Sequence, residues 1–315
     1  MEYFIECPEK IESGGPELAH QMCNKLNELG YDSKMYYIKS DTIEPQNVSA
    51  SAKYLKYNTE HTLSREEVEK ESSVLVFNEG GTGLIPYFNR CHKVLWWMSV
   101  DNYILNTQEK DIDIIRSQIE IHLVQSKYAY EYVKNTLGIC QDRIMYVSDY
   151  IGDMYMTYIP EMDRNNIALF NPKKGLNDIM PLIEKTSSWL KWIPLVNLTE
   201  GDMVAYMHIS KIYVDFGNHP GKDRIPREAA ICGCAVITNK NGSAAYYEDI
   251  PIKEKYKIAD TNNLIDIEDL LHYICDNYTE VQKDFDEYRS FIRGEKSQFN
   301  IDISRFADRF SNCDR

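Results

Sequence analysis

The chain has no run of about eighteen apolar residues, so nothing in it predicts a membrane span. Its opening, MEYFIECPEK, carries acidic residues early and lacks a cationic stretch followed by a long apolar one, so no signal peptide is expected. Eight cysteines are scattered without a CxxC pair or zinc-like spacing to histidine, and are expected to be reduced core thiols of a cytoplasmic protein. No GxGxxG follows any predicted strand, which weighs against a dinucleotide-dependent oxidoreductase. Low-complexity tracts and strict repeats are also missing. Basic residues are outnumbered, 35 Lys and Arg against 49 Asp and Glu, for a net charge of −14. That balance argues against general nucleic-acid binding, which draws on clustered Lys and Arg.

What is present is a globular composition, 43% hydrophobic and 27% charged over 315 residues, enough for two domains with substantial cores. Buried-strand patterns recur at 3–7, 34–38, 73–77, 93–98, 119–124 and 145–148, with a helix predicted from Pro16 and another over 127–137 capped by Ser126. After a linker at 151–164 the pattern restarts with strands at 167–170, 192–195, 212–216, 235–238 and 256–258. Helices are predicted at 177–185, 199–208, from Arg224, over 267–288 and over 299–310, and the polar stretch 41–70 reads as a surface loop with a short helix. Strands alternating with helices predict an α/β protein of two doubly wound parallel sheets. The expected divisions are a first domain at 1–155, a second at 156–295, and a C-terminal helix at 296–315 packing back on the first domain.

The most informative stretch is 211–245, KIYVDFGNHPGKDRIPREAAICGCAVITNKNGSAA. A strand, a loop rich in glycine and proline, a helix with proline in its first turn and a second strand form a βαβ unit. Such a unit aims backbone N–H groups and a positive helix end at the carboxyl edge of the sheet, where phosphate binds. Lys222, Arg224 and Arg227 add cations where the helix dipole disfavours them, and an anionic partner accounts for that choice. A basic loop inside an acidic protein suits one small anion better than a polymer. In the first half, Gly14 and Gly15 open a similar strand–turn–helix.

These residues carry a resemblance. The two βα-repeat halves, the strand ending in Asn171-Pro172-Lys173-Lys174-Gly175, the helix opening Arg227-Glu228-Ala229 and the segment 233–238 resemble a GT-B glycosyltransferase, group 1-like. That fold has two Rossmann-like doubly wound domains facing a cleft. The wording DFGNHPGKDRIPREAA, 215–230, is similar to bacterial transferases of capsule, O-antigen (lipopolysaccharide) and S-layer glycan assembly, rhamnosyltransferase-like members included. The resemblance implies a hexosyl- or deoxyhexosyltransferase of polysaccharide biosynthesis that uses a nucleotide-diphosphate sugar without a metal or other cofactor. Its partners would be that donor and a glycan or lipid-linked glycan acceptor, with no nucleic acid. It would work in the cytoplasm, at most peripherally at the inner face of the cytoplasmic membrane.

Carried over, Glu228 accepts hydrogen bonds from the ribose, and Arg224 with Lys173 neutralises the diphosphate. Lys174, Lys222, Ile225, His219, Asn197 and Ser243 complete the donor set, Gly14 and Gly15 form the acceptor or phosphate loop, and Asp101 or Glu79 is the base that takes the acceptor proton. The resemblance has one departure. Its commonest pattern has a glutamate seven residues before Glu228, where this chain has Gly221, so the sugar-facing carboxylate is absent or replaced by Asp215. Asp111-Ile112-Asp113 matches a metal-holding Asp-x-Asp triplet in form, but lacks the strand before it. The Trp96-Trp97 pair fits either a sugar-stacking surface or two layers of core. A nucleotide-sugar epimerase of the same fold and a catalytically silent nucleotide-sugar-binding module are the competing readings.

Overall fold

The computed structural model describes residues 1–39, 42–48, 50–106, 109–156 and 163–311. They form two compact units, Met1–Asp149 with Ser297–Arg315, and Tyr150–Lys296. The first unit runs β1 (Glu2–Pro8), α1 (Gly14–Glu28), β2 (Asp32–Ile38), α2 (Arg65–Val68), β3 (Ser73–Asn78), β4 (His92–Trp97), α3 (Val100–Asn106), α4 (Glu109–Gln118), β5 (Ile121–Val124), α5 (Lys127–Glu131) and β6 (Ile144–Tyr146). Its strands pair in parallel in the order β2-β1-β3-β4-β5-β6. Strands such as β3 and β4 read as continuous apolar runs because a parallel sheet is covered on both faces.

The second unit runs β7 (Asn165–Phe170), α6 (Leu176–Thr186), β8 (Lys191–Pro194), α7 (Glu200–Ile209), β9 (Ser210–Asp215), α8 (Arg224–Ile231), β10 (Ala235–Asn239), β11 (Lys257–Ile258), α9 (Leu264–Asp276), α10 (Tyr278–Val281) and the start of α11 (Asp286–Ser311). Its parallel order is β11-β10-β9-β7-β8. From Ser297 onward α11 belongs to the first unit, where Phe299, Ile303, Phe306 and Phe310 are buried and the Tyr3 hydroxyl donates to the Ala307 carbonyl at 3.2 Å. The caps expected at Ser126 and Thr199 are present, the latter as a full capping box with Asp202.

Several expectations need correction. The segment after β4 holds two helices, α3 and α4, that sequence reading left undescribed, and Asp111-Ile112-Asp113 lies within α4. The helix expected over 127–137 is α5 followed by one wide turn, Tyr132–Thr136. The helix expected over 267–288 is broken at Asn277, which leaves the helical region (φ −117°, ψ 28°). Within 41–70 the turn Ala52–Tyr57 buries Tyr54 and Tyr57 rather than forming plain surface; residues 41 and 49 lie outside the described residues. Trp96 and Trp97 are both fully buried, with indole N–H groups donating to the Val147 carbonyl (3.0 Å) and His122 Nδ1 (3.1 Å), so the pair is core and not a sugar-stacking surface. Among the described residues every cysteine is free, and no helix is long and apolar enough to cross a membrane.

The stretch expected as a linker contributes to the second unit instead: Ile151 and Tyr155 enter its core, while 157–162 lie outside the described residues. Arg164 donates to the carbonyls of Met207 (2.7 Å), Ser210 (2.7 Å) and Cys232, which end α7 and α8. Helix ends leave such carbonyls without intrahelical partners, and one guanidinium satisfies both ends. Arg164→Ala is therefore expected to lower the unfolding free energy by about 3 kcal/mol, because buried acceptors lose charged donors. Urea unfolding followed by circular dichroism measures the difference.

Candidate functional site

In both units the second strand in sequence lies on one side of the first and the third lies on the other. The order therefore reverses between β1 and β3 in the first unit and between β7 and β9 in the second. Loops at the carboxyl ends of those strand pairs diverge and leave room for a ligand. The residues after β7 and β9 are the Asn171–Gly175 segment and the 216–223 loop, which hold Lys173, Lys174, His219 and Lys222, while Arg224, Ile225 and Glu228 follow in α8.

The two loops touch at their backbones. Gly175 has φ +63°, and a Cβ there would lie 2.5 Å from the Phe216 carbonyl carbon, so no larger residue fits. Gly242, at φ +55°, brings the turn after β10 equally close: a Cβ would sit 2.0 Å from the His219 carbonyl oxygen. That oxygen accepts from Ser243 N at 2.9 Å, and Ser243 Oγ donates to the Gly221 carbonyl at 2.6 Å. Ser243 is buried and ties one loop to another.

The cations divide into two groups. Lys222 and Arg227 point inward, reaching Glu295 of α11 at 2.8 and 2.9 Å, with all three side chains buried. Arg227 also donates to the carbonyls of Lys222 (3.0 Å) and Asp223 (3.1 Å). Lys222 and Arg227 thereby anchor the loop to α11. Lys173 is exposed, and Arg224 lies in the first turn of α8 with its Nε 3.6 Å from Glu228 Oε1. Ile225, half-buried beside them, packs against the unit's core. Tyr155 lies close to Glu228, Glu200 and Arg224, and burial followed by the charges of Glu228 and Glu200 pushes its phenol well up. Asn197, exposed just before α7, holds a left-handed backbone (φ +54°) that asparagine tolerates.

His219 does not face solvent. Its ring is fully buried between two carboxylates, Nδ1 2.9 Å from Asp223 Oδ2 and Nε2 3.9 Å from Asp215 Oδ1. Asp215 accepts from the Tyr213 hydroxyl (2.8 Å) and Gly217 N (3.1 Å); Asp223 accepts from Lys174 Nζ (2.8 Å). Lys174 is thereby held by Asp223, and Asp215 is buried. Burial raises Asp215. Burial raises Asp223 too, but the His219 hydrogen bond and the Lys174 charge outweigh it and hold that carboxyl below its usual range. Ligand atoms of Asp215, His219 and Asp223 lie within 4.8 Å of one another, the spacing of a metal site. Two of these atoms, His219 Nδ1 and Asp223 Oδ2, stand 2.9 Å apart and are paired with each other.

At the carboxyl edge of the first unit, Gly14 and Gly15 are the first residues of α1 rather than a preceding loop, and a Cβ on Gly15 would make ordinary 3.5 Å contact with Met98 Sδ. Asp101, in the first turn of α3, accepts from the Tyr128 hydroxyl at 2.8 Å. Glu79 follows β3 and accepts from Met98 N at 3.0 Å. Burial raises its carboxyl to about 7, against partial relief from backbone N–H groups that include those of Met98 and Ser99. Glu6, at the end of β1, was not singled out from sequence; no local motif marks it. Its Oε2 accepts from Asn78 N at 2.9 Å and from Asn78 Nδ2, and burial, reinforced by the Glu79 charge, raises it to about 8.

Both folded values exceed the ordinary 4.5, so the native unit keeps protons that the unfolded chain releases. The stability from this pair is fully present below about pH 4.5 and is lost as pH rises through about 7 and 8. Glu6→Gln, which still accepts from Asn78, is expected to shrink the loss between pH 5 and 8 by roughly 2 kcal/mol. Urea midpoints across that range measure it.

No family model matches the chain, and no curated protein matches it. Solved structures do. A glycosyltransferase from Rickettsia africae ESF-5 is 12% identical, with 99% of this chain and 98% of that one covered and a TM-score of 0.66. Sucrose-phosphate synthase from Thermosynechococcus elongatus is 10% identical, covering 99% and 100%, at 0.71. Anabaena HepE, solved in complex with UDP-glucose, is 8% identical, covering 98% and 99%, at 0.70. Likeness at such identities speaks for the fold alone: this chain has the α/β fold of GT-B type, two Rossmann-like units each built on a parallel sheet.

Proposed function

We propose that the protein is a glycosyltransferase whose second unit holds a nucleoside-diphosphate sugar and whose first unit supplies the base for the acceptor. The observation that carries this reading is the convergence at the β7/β9 strand reversal. There the exposed Lys173 stands on the segment after β7, and Arg224, in the first turn of α8, lies beside Glu228. Asp223 occupies the N-cap position of α8 but makes no side-chain cap, because its carboxylate is taken by His219 and Lys174. The first N–H groups of the helix therefore lack that cap, which suits phosphate oxygens. Glu228 is suited to accept two ribose hydroxyls, and Asn197 before α7 to border the nucleobase. The UDP-glucose bound to HepE supports the same class of donor here.

For the acceptor proton, Glu79 is a better base than Asp101. A carboxyl raised to about 7 is tuned to the working pH, whereas Asp101 accepts from the Tyr128 hydroxyl. The acceptor we assign is a bacterial surface glycan of capsule or lipopolysaccharide type, free or lipid-linked, and the sugar a hexose or deoxyhexose. The transfer runs without a metal, the leaving diphosphate being neutralised by Lys173, Arg224 and the helix start. The site of work is the cytoplasm or the inner face of its membrane.

Thermal-shift screening with UDP, GDP, dTDP and CMP identifies the nucleotide. Lys173→Ala, Arg224→Ala and Glu228→Ala should then each weaken its affinity about tenfold, as expected for the loss of one charged hydrogen bond. Unchanged affinity in all three overturns the donor assignment. Glu79→Gln should lower kcat about a hundredfold or more while nucleotide affinity stays within twofold. Interconversion of free nucleotide-sugars without transfer would mark an epimerase instead.

A further inference from the structure

We propose that His219 is a positioning residue: as an imidazolium bridging Asp215 and Asp223 it holds the 217–223 loop in register, and the unit's affinity for a nucleoside diphosphate depends on that buried charge. The inference rests on the donor reading above and adds a residue that never touches the donor.

The ring has a carboxylate at each nitrogen and is closed to water. A neutral imidazole carries one N–H, so either tautomer would turn a lone pair towards a carboxylate oxygen. At 2.9 Å from Asp223 and 3.9 Å from Asp215 the two edges stand at ion-pair distances, and a positive ring is what two flanking carboxylates favour. The surrounding groups agree. Burial alone would push His219 down, but the hydrogen bond to Asp223 and the charges of Asp215 and Asp223 outweigh it, and Lys174 opposes them only weakly; the balance lies above the ordinary value. Tyr213, also on β9, gives its proton to Asp215. Glu228 of α8 and, from α11, Glu295 and Tyr288 lie further out. Lys222 and Arg227 are occupied by Glu295, and Asp249 acts on Tyr288.

Two consequences connect the ring to the ligand. First, the imidazolium and Lys174 together hold the Asp223 carboxylate away from the start of α8. That leaves the helix end for phosphate. Second, with the ring charged, Lys174 and His219 balance Asp215 and Asp223. Deprotonation leaves one uncompensated negative charge beside the phosphate position. The native state binds this proton more tightly than the unfolded chain does. The contribution is thus fully present below about pH 6.5 and is lost as pH rises through the higher folded value.

The test joins two readouts. Ring 15N–1H correlations of histidine-labelled protein, with the signal identified by its loss in His219→Gln, report the protonation of each nitrogen from pH 6 to 9. Calorimetry over the same range gives affinities for UDP, GDP and dTDP; above about pH 7 the terminal phosphate is ionised and cannot itself cause a change. The expected result is a doubly protonated ring beyond pH 6.5 and at least a tenfold loss of affinity with the same midpoint. Asp223→Asn should move both midpoints down together, which a merely structural histidine would not do, and it keeps the test alive if His219→Gln does not fold. A ring carrying one proton at pH 6.5, a ring that responds to zinc rather than to pH, or an affinity flat across the ring's titration overturns the inference while leaving the donor reading intact. Failure of all three nucleotides to bind at any pH overturns both.

Discussion

Charge buried out of water has to find charge, and the second unit is built around that requirement. Four cationic groups, Lys174, His219, Lys222 and Arg227, meet three carboxylates, Asp215, Asp223 and Glu295, within one loop and the elements it touches. An unpaired ion there would cost several kcal/mol, so each partner constrains the others. Position rather than stability is the use we see in this. Replacing such a network with apolar groups often stabilises a protein, but it would not fix where a loop backbone sits. Here the network decides where α8 begins, and Gly175 and Gly242 let the neighbouring turns close on the loop without a side chain between them.

The two units share a strand order, yet the edges at their reversals carry opposite chemistry. The first gathers carboxyls, Glu6 and Glu79, whose burial keeps them protonated towards neutral pH. The second gathers cations and a helix start. Acid–base work and anion binding make different demands on an environment: the former wants desolvated carboxyls with few donors, the latter wants fixed positive ends. One topology offers both environments by changing the residues that follow its strands.

Much of this was legible in the sequence because parallel strands bury both faces and read as apolar runs. Strand positions, the α8 start and the two helix caps came through to within a few residues. The losses have physical causes. α3 does carry a cap, Ser99, whose hydroxyl accepts from Asn102 N at 3.3 Å, but the polar run around it reads equally well as a turn. The break at Asn277 is a backbone choice inside a run that keeps helical spacing. The basic loop was read as a set of ligand contacts because nothing local reveals Glu295, 68 residues from Arg227. Ser243 and His219 are similar cases, since a polar residue beside glycine looks like a ligand contact until its burial is known. Glu6 is the reverse case: in sequence it is one carboxylate in a strand, and only the neighbouring β3 end makes it a site residue.

The protein's overall charge sharpens what the loop must do. At −14 the chain repels a nucleoside diphosphate at long range, and salt limits but does not reverse that repulsion. Attraction must come from within a few ångströms, from groups whose fields are little screened. Had all the cations of the loop been exposed, they would have formed a surface patch open to any polyanion. Turning Lys222 and Arg227 inward leaves Lys173, Arg224 and the helix start, a set small enough to match the one pyrophosphate we propose. The buried charges then set the position and net field of that small set.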